Sequence, residues 1–318
     1  MNRTPAAVTA ASETYRGRFA PSPTGPLHFG SLVAAVGSYL DARANNGEWL
    51  LRIEDVDEPR TVPGAADDIL RTLETFGFEW DGEVVTQSRR LDLYHAALVR
   101  LQLDGEVYPC ACSRREIADS ASRASVDGGL AYPGTCRAGL ADGRAARSWR
   151  MRVPDRELSF EDRVQGALRQ NLEREVGDFI LLRADGQYAY QLAVVFDDAL
   201  QGVNSVVRGA DLLDSTPRQI WLQQRLGVPT PAYAHLPVAT NAVGEKLSKQ
   251  TQAPAINPLH GSAALAEVLQ FLGHPVPPTL RGAPLVEFWQ WAVSAWSIAR
   301  VPAVRGIFPG DSGQCLSP

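Results

Sequence analysis

The sequence predicts an α/β fold in which a parallel sheet is wound with helices. Three observations carry that expectation. Strand-like and helix-like apolar spacings alternate in the order β-α-β-α from Arg16 to about residue 107. The alternation stops at Tyr108, where a segment rich in Ser, Ala and Gly is bracketed by Cys110, Cys112 and Cys136. It returns between Gly186 and Leu226. A chain of 318 residues, 45% hydrophobic and 21% charged, holds enough apolar material for one large domain or two smaller ones, so wholesale disorder is excluded.

Arg16 to Ala20 reads as a short strand, and Pro21-Ser22-Pro23-Thr24-Gly25-Pro26 as a turn-rich loop that cannot be helix. From Gly30 to Ala44, apolar residues at Leu32, Val33, Val36, Tyr39 and Leu40 have helical spacing, and Asn45-Asn46-Gly47 stops the helix. Trp49-Leu50-Leu51-Arg52-Ile53 reads as a buried strand that runs at once into Glu54-Asp55-Val56-Asp57. Residues 64–77 and 89–105 fit amphipathic helices, each ending on a glycine. Shorter strand-like runs fill 148–183. Leu192 to Phe196 reads as strand, Pro217 to Leu226 as helix, and His235-Leu236-Pro237-Val238 as a further strand. After Lys249 come 69 residues, nine of them proline, with short helices expected around 262–272 and 285–297 and a loose last twenty residues. The expected organisation is a flexible N-terminal arm over 1–15, the first half of a nucleotide-binding α/β domain over 16–107, an insertion with its own small fold over 108–140, the second half over 141–254, and a short helical, proline-rich segment over 255–318.

No apolar run approaches the ~20 residues that span a bilayer. Residues 1–14 lack the continuous apolar stretch of a signal peptide, so no membrane association is expected. Four cysteines make no disulfide framework, and the expected compartment is the cytoplasm. A net charge of −5 argues against a general nucleic-acid binder, although an acidic body can carry a local basic face. The basic residues are lopsided. Of 31 Lys and Arg, only Lys246 and Lys249 are lysine, and both fall in Lys246-Leu247-Ser248-Lys249. Codon bias explains the arginines; two lysines that escape it in one segment suggest a need for a compact, mobile ammonium.

Two stretches carry candidate chemistry. In the first, Arg18-Phe19-Ala20-Pro21-Ser22-Pro23-Thr24-Gly25 leads through a loop to His28-Phe29-Gly30-Ser31 at the start of a helix. Free N–H groups at a helix N-terminus make an anion site, Gly30 lets a phosphate approach the backbone, and His28 could hydrogen-bond it. An incidental loop histidine and a tightly packed glycine fit the same residues. In the second, two lysines three residues apart can reach a polyphosphate and neutralise charge as it develops, where a merely solvated loop is the alternative.

Together these stretches resemble the His-x-Gly and Lys-x-Ser-Lys signatures of class I aminoacyl-tRNA synthetases. With Leu51-Arg52-Ile53-Glu54-Asp55-Val56-Asp57 and Val207-Arg208-Gly209-Ala210-Asp211, they resemble the glutamyl-tRNA synthetases from about Arg18 to Pro254. Three departures stand out. Ser31 replaces a second histidine. Leu247 and Gln250 replace the usual methionine and final serine of the lysine motif. The 69 residues after Lys249 are too few for the helical region with which the longer enzymes read the anticodon. The chain is therefore most similar to the short paralogues that load glutamate onto queuosine in tRNA(Asp).

That resemblance implies a Rossmann-like class I catalytic domain with a zinc-binding insertion and no anticodon-binding domain. It implies activation of glutamate by ATP with Mg2+, followed by transfer to the queuosine base in the anticodon loop of tRNA(Asp), by a monomer. His28, Gly30, Lys246 and Lys249 would stabilise the phosphates, with Ser31 and Ser248 also at ATP. Arg18, Phe19, Ala20, Pro21, Ser22, Glu54, Tyr190 and Arg208 would hold glutamate: the two arginines at carboxylates, Glu54 at the ammonium, Tyr190 closing the pocket. Cys110, Cys112 and Cys136 suit one structural tetrahedral zinc, with buried free thiols as the alternative; Tyr132 is where the resembling family places an unusual fourth ligand. Asp55, Asp57, Asp197, Asp198 and Asp211 lie near the matched blocks without an assigned role. Arg137, Arg144, Arg147, Arg150, Arg152 and Arg156 could track RNA phosphates or form a mixed solvated surface. Two rival functions fit less well: a truncated glutamyl-tRNA synthetase charging the 3′ end of tRNA(Glu), and a degenerate core serving as a non-catalytic module.

Overall fold

The computed structural model describes residues 14–121, 123–126, 128–241, 256 and 261–309. In chain order the elements are β1 (Arg16–Phe19), α1 (Phe29–Ala44), β2 (Glu48–Ile53), α2 (Ala65–Thr75), β3 (Val85–Thr86), α3 (Leu91–Leu103), β4 (Val107–Cys110), α4 (Arg114–Ser120), β5 (Ser148–Met151), β6 (Glu157–Asp162) and β7 (Gly166–Asn171). Then come α5 (Leu172–Glu175), β8 (Ile180–Leu182), α6 (Tyr190–Leu200), β9 (Ser205–Gly209), α7 (Thr216–Leu226), β10 (Ala232–Leu236), β11 (Val238–Ala239), α8 (Gly261–Phe271), α9 (Leu285–Ala295) and β12 (Gly306–Ile307).

Two parallel ladders form the centre. β1 pairs β2 from Arg16↔Glu48 to Phe19↔Leu51, and β2 pairs β3. β9 pairs β10 from Ala232↔Ser205 to Leu236↔Gly209, and β6 joins the far side of β10, carrying β7 as an antiparallel hairpin. The two ladders meet at β1 and β9. There Asn204 N–H donates to the Arg16 carbonyl at 3.1 Å and accepts the Arg16 N–H on its side-chain oxygen at 2.9 Å. Successive strands thus leave this junction in opposite directions, the arrangement that opens a crevice at the strand C-termini.

Helix α1 is buried from Leu32 through Ala42 except at half-buried Ala34, because the sheet covers one side and the C-terminal helices the other. Tyr39, Trp49, Phe78 and Trp289 form one aromatic cluster with centroids 4.9–5.5 Å apart, favourable edge and offset contacts. Trp289 of α9 also donates to the Phe76 carbonyl at 2.9 Å, so α9 is part of the main core. A second core lies between α3, α6 and α7 and the antiparallel sheet β4-β5-β8, from which the cysteine-bearing segment projects.

Three expectations need correction. Leu192 to Phe196 is not strand but the middle of α6. Leu192, Ala193, Val194 and Val195 are all buried, so the run has no polar face and shows neither period. Tyr15, expected in the arm, is anchored: its hydroxyl donates to buried Asp41, which also accepts from Arg163 and Trp296. The end of the chain is not loose through residue 309, since β12 pairs β11 at Val238↔Gly306 and Arg305 ion-pairs Asp214 at 2.8 Å. Among the described residues, no helix is long and apolar enough to cross a membrane.

Candidate active site

The crevice at the strand C-termini is a cleft of about 180 Å³. β1 brings Arg18 and Phe19 with Ala20 behind them, Glu54 directly follows β2, β9 brings Arg208 and Gly209, and α6 opens with Tyr190. The α1 N-terminus faces the same space through His28, Gly30 and Ser31. Nine expected residues therefore share one cavity. Ser22 lies instead in an adjoining hollow with Thr24, Asp57, Gln87 and Tyr188, and Glu54 and Tyr190 line both spaces. Pro21 lines neither; its carbonyl accepts the Glu54 N–H at 3.0 Å and so fixes the loop to the end of β2. Lys246, Ser248 and Lys249 lie outside the described residues.

His28 is the N-cap of α1. Its Nδ1 accepts the Ser31 N–H at 3.3 Å, an unusual side chain for that task. In the neutral ring this places the proton on Nε2. The helix dipole and its first N–H groups point at the cleft, a favourable place for an anion.

Behind the cleft lies a buried charge cluster that sequence reasoning did not assemble. Arg52, fully buried, donates to Asp198 at 2.7 Å, to Glu54 at 3.1 Å and to Gln201 at 2.6 Å. Arg18 pairs with the same Asp198 at 3.2 Å. Asp197 accepts from Gln87, Arg90 and Tyr94 at 2.7–2.9 Å. Three arginines thus face three carboxylates. Burial raises Asp198, but Arg18 and Arg52 outweigh it and hold its carboxyl below the usual range. For Glu54 burial wins over Arg52 and Arg18, and its carboxyl is pushed up. Burial and the nearby Glu54 push the Tyr190 phenol up to about 12, so it stays a neutral hydroxyl. A signal was available: Arg52 and the adjacent acid pair Asp197-Asp198 sit in otherwise apolar runs, where a charge needs a partner. Asp55 and Asp57 have partners of their own, Ser88 for the first and Arg60 and Arg183 for the second.

Arg208 differs from Arg18. It is buried, and its Nε and Nη2 donate to His235 Nε2 at 3.0 Å and Thr216 Oγ1 at 2.9 Å. Its Nη1 has no hydrogen-bond partner among the described residues. A buried guanidinium N–H without an acceptor is costly unless a ligand supplies one.

The cysteines converge as expected. Cys110, Cys112 and Cys136 place their Sγ atoms within 4.8 Å of one another. The Tyr132 hydroxyl lies 3.4 Å from Cys110 Sγ and 3.6 Å from Cys112 Sγ, and it accepts the Cys136 N–H at 2.9 Å. Sulfurs on a tetrahedral ion with bonds of ~2.3 Å stand ~3.8 Å apart. The 3.6 Å between Cys112 and Cys136 is close to that spacing, so this donor set is compatible with a metal. Arg150 stacks its guanidinium 3.7 Å from the Tyr132 ring centre. Burial raises the Cys110 thiol, but Tyr132 and Arg150 outweigh it and bring it down to about 7. Gly177 (φ +76°) presses on this site, since a side chain there would lie 2.5 Å from the Tyr132 carbonyl.

The basic stretch is mostly structural. Arg137 pairs with Glu173 and Asp178, Arg144 with Glu116, Arg150 donates to the Asp178 carbonyl, and Arg152 and Arg156 stack on Tyr108 and Trp221.

The catalytic-domain model of the class I tRNA synthetases (E and Q) matches residues 14–263. The chain belongs to this family. Among the relatives of this class I chain, a glutamyl-Q tRNA(Asp) synthetase of Dechloromonas aromatica is 65% identical over 91% of the chain and 96% of its own length. The protein of the same name from Chromobacterium violaceum is 63% identical over the same shares. The glutamate-tRNA synthetase of Elizabethkingia anophelis superposes with a TM-score of 0.78 at 25% identity, over 94% of this chain and 69% of that one. The class I assignment accounts for the parallel core and for the cleft at its switch point.

Proposed function

We propose that the chain activates glutamate with ATP and transfers it to queuosine in tRNA(Asp), as the names of its 56–65% identical relatives suggest. The observation that carries this reading is the buried Arg208 Nη1, a cation lacking an acceptor, in the same cleft as the α1 N-terminus and Glu54. That combination suits a small zwitterion beside a polyphosphate.

In the first step an oxygen of the glutamate α-carboxylate attacks the α-phosphorus of ATP. The bond to the bridging oxygen breaks, and glutamyl-adenylate and pyrophosphate result. Arg208 and Arg18 hold the carboxylates. Glu54 faces the ammonium, whose charge favours the ionised carboxylate that burial alone opposes. The Tyr190 hydroxyl closes the pocket between the cleft and the adjoining hollow. His28 Nε2–H, the N–H groups around Gly30 and Ser31, and Lys246, Ser248 and Lys249 offset the phosphate charge, chiefly by electrostatic stabilisation. Mg2+ enters with ATP as part of the substrate. In the second step a hydroxyl of the queuosine ring attacks the activated carbonyl and AMP leaves. One zinc held by Cys110, Cys112, Cys136 and Tyr132 would cross-link the insertion and supply no chemistry to the cleft.

The test is glutamate-dependent exchange of pyrophosphate into ATP, followed by charging of tRNA(Asp) with and without queuosine. Labelled glutamate should appear only with queuosine and in the ribonuclease fragment that contains the anticodon. Label on the 3′-terminal fragment would instead identify a glutamyl-tRNA synthetase activity, and absence of exchange would sink the activation step.

A further inference from the structure

We propose that Asp162 and His235 are positioning residues that lock one imidazole tautomer so that Arg208 is held by neutral groups alone and offers its full charge to the substrate. The inference deepens the reading of Arg208 as a carboxylate receptor and rests on it.

The tautomer follows from chemistry. A guanidinium cannot accept a hydrogen bond, so His235 Nε2, 3.0 Å from Arg208 Nε, must present its lone pair. The ring proton then sits on Nδ1, 2.6 Å from Asp162 Oδ2, to which it donates. Asp162 is itself fixed, because its Oδ1 accepts the N–H groups of Val164, Gln165 and His235 at 2.9–3.1 Å. Asp162, His235 and Arg208 are buried. Burial and the Arg208 charge hold the imidazole near a value of about 4, which agrees with a neutral ring.

The consequence appears on comparing the two cleft arginines. Arg18 is matched by the Asp198 carboxylate. Arg208 meets an imidazole nitrogen, the Thr216 hydroxyl and, at 3.4 Å, the Leu212 carbonyl, with no carboxylate paired to it among the described residues. A carboxylate in the place of His235 would orient Arg208 as well but would neutralise it. A neutral acceptor orients without neutralising, and Nη1 keeps no partner among the described residues.

Asp162→Asn separates orientation from packing. The three backbone N–H groups hold the amide oxygen at the Oδ1 position, so the amide NH2 faces His235 Nδ1. That nitrogen must then accept, the proton moves to Nε2, and it meets the Arg208 N–H donor to donor. With the purified full chain in pyrophosphate exchange, KM for glutamate should rise about 10- to 100-fold, the range for losing a hydrogen bond to a charged group, while kcat and KM for ATP stay within about twofold. His235→Gln, which restores an acceptor oxygen, should stay within about threefold of the unmodified chain, whereas His235→Phe should match Asp162→Asn. Nitrogen-15 spectra should show the ring proton on Nδ1 in the unmodified chain and on Nε2 in Asp162→Asn. A folded Asp162→Asn chain with unchanged KM for glutamate would overturn the inference. If that variant does not fold, equal KM values for His235→Gln and His235→Phe overturn it as well. Lack of glutamate-dependent exchange in the unmodified chain overturns the functional reading beneath it.

Discussion

Replacing Arg52 by Met removes the centre of the buried charge cluster and leaves its shape nearly intact. Arg52 is fully buried and supplies a cation to Asp198, Glu54 and, at 4.0 Å, Asp197. Without it, Arg18 and Arg90 face three carboxylates, so one buried negative charge is uncompensated. Breaking a buried pair from one side costs about 3–5 kcal/mol, against about 0–1 for an exposed pair. The pH dependence is the sharper test. In the unmodified chain the two acids act oppositely. Asp198, held low, contributes stability that is present above its unfolded value of about 4 and is lost as pH falls through its native one. Glu54, held high, contributes stability that is present below its unfolded value and lost as pH rises through its native one. In Arg52→Met both carboxyls rise, and Glu54, already held above its unfolded value, moves further up, so folding takes up a proton there between the unfolded value and the raised native one. Stability should then recover on acidification by up to about 1.4 kcal/mol per pH unit and per proton. Urea denaturation at pH 7.5 and 5.5 measures both effects. A loss below about 1 kcal/mol at pH 7.5, or a loss that does not shrink at pH 5.5, would refute a coupled buried cluster.

Three further outcomes are expected. His28→Ala should lose about 1 kcal/mol of stability together with exchange activity, whereas His28→Asn, which keeps a capping oxygen, should recover stability but not exchange; recovery of both would reduce His28 to a cap. Gly177→Ala forces a side chain toward the Tyr132 backbone at a positive φ and should lower bound zinc below one equivalent on metal analysis; full occupancy would show that the insertion can shift without loss of its ligand set. Lys249→Ala should abolish pyrophosphate exchange with an unchanged melting temperature, and unaltered exchange would remove that lysine from the mechanism.

The sequence revealed what is local. β1, α1, β2, α2, α7, α8 and α9 follow from apolar spacing punctuated by Gly, Asn and Pro, and they occur within a residue or two of their expected bounds. The reading failed at α6, where all-round burial erases the helical period and two adjacent valines favour strand. A stop signal was nevertheless present: Gly202 (φ +65°) follows the C-cap Gln201, as it does at the end of many helices. The order of residues 299–309 has no local signal, because β12 is only two residues long and pairs with β11, more than sixty positions earlier.

The site divides along the same line, and the division has a physical cause. Residues that line the cleft lie in short motifs at strand ends and helix starts, where the backbone turns, so Arg18, His28, Gly30, Glu54 and Arg208 could be read one segment at a time. Residues that hold them in place need only a complementary charge or lone pair at the right distance, and any part of the chain can provide it. Asp198 reaches Arg18 across 180 positions, and Asp162 reaches His235 across 73. Neither pairing leaves a pattern in a single sequence, because nothing in the spacing of such residues is fixed by helix or strand geometry. What does remain legible is the imbalance: a charged residue inside an apolar strand must find a partner, and its motif therefore implies a second, unseen half. Arg52 and Arg208 are both of this kind. One is completed by carboxylates and stabilises the fold; the other is completed by neutral groups, which leaves its charge for whatever enters the cleft.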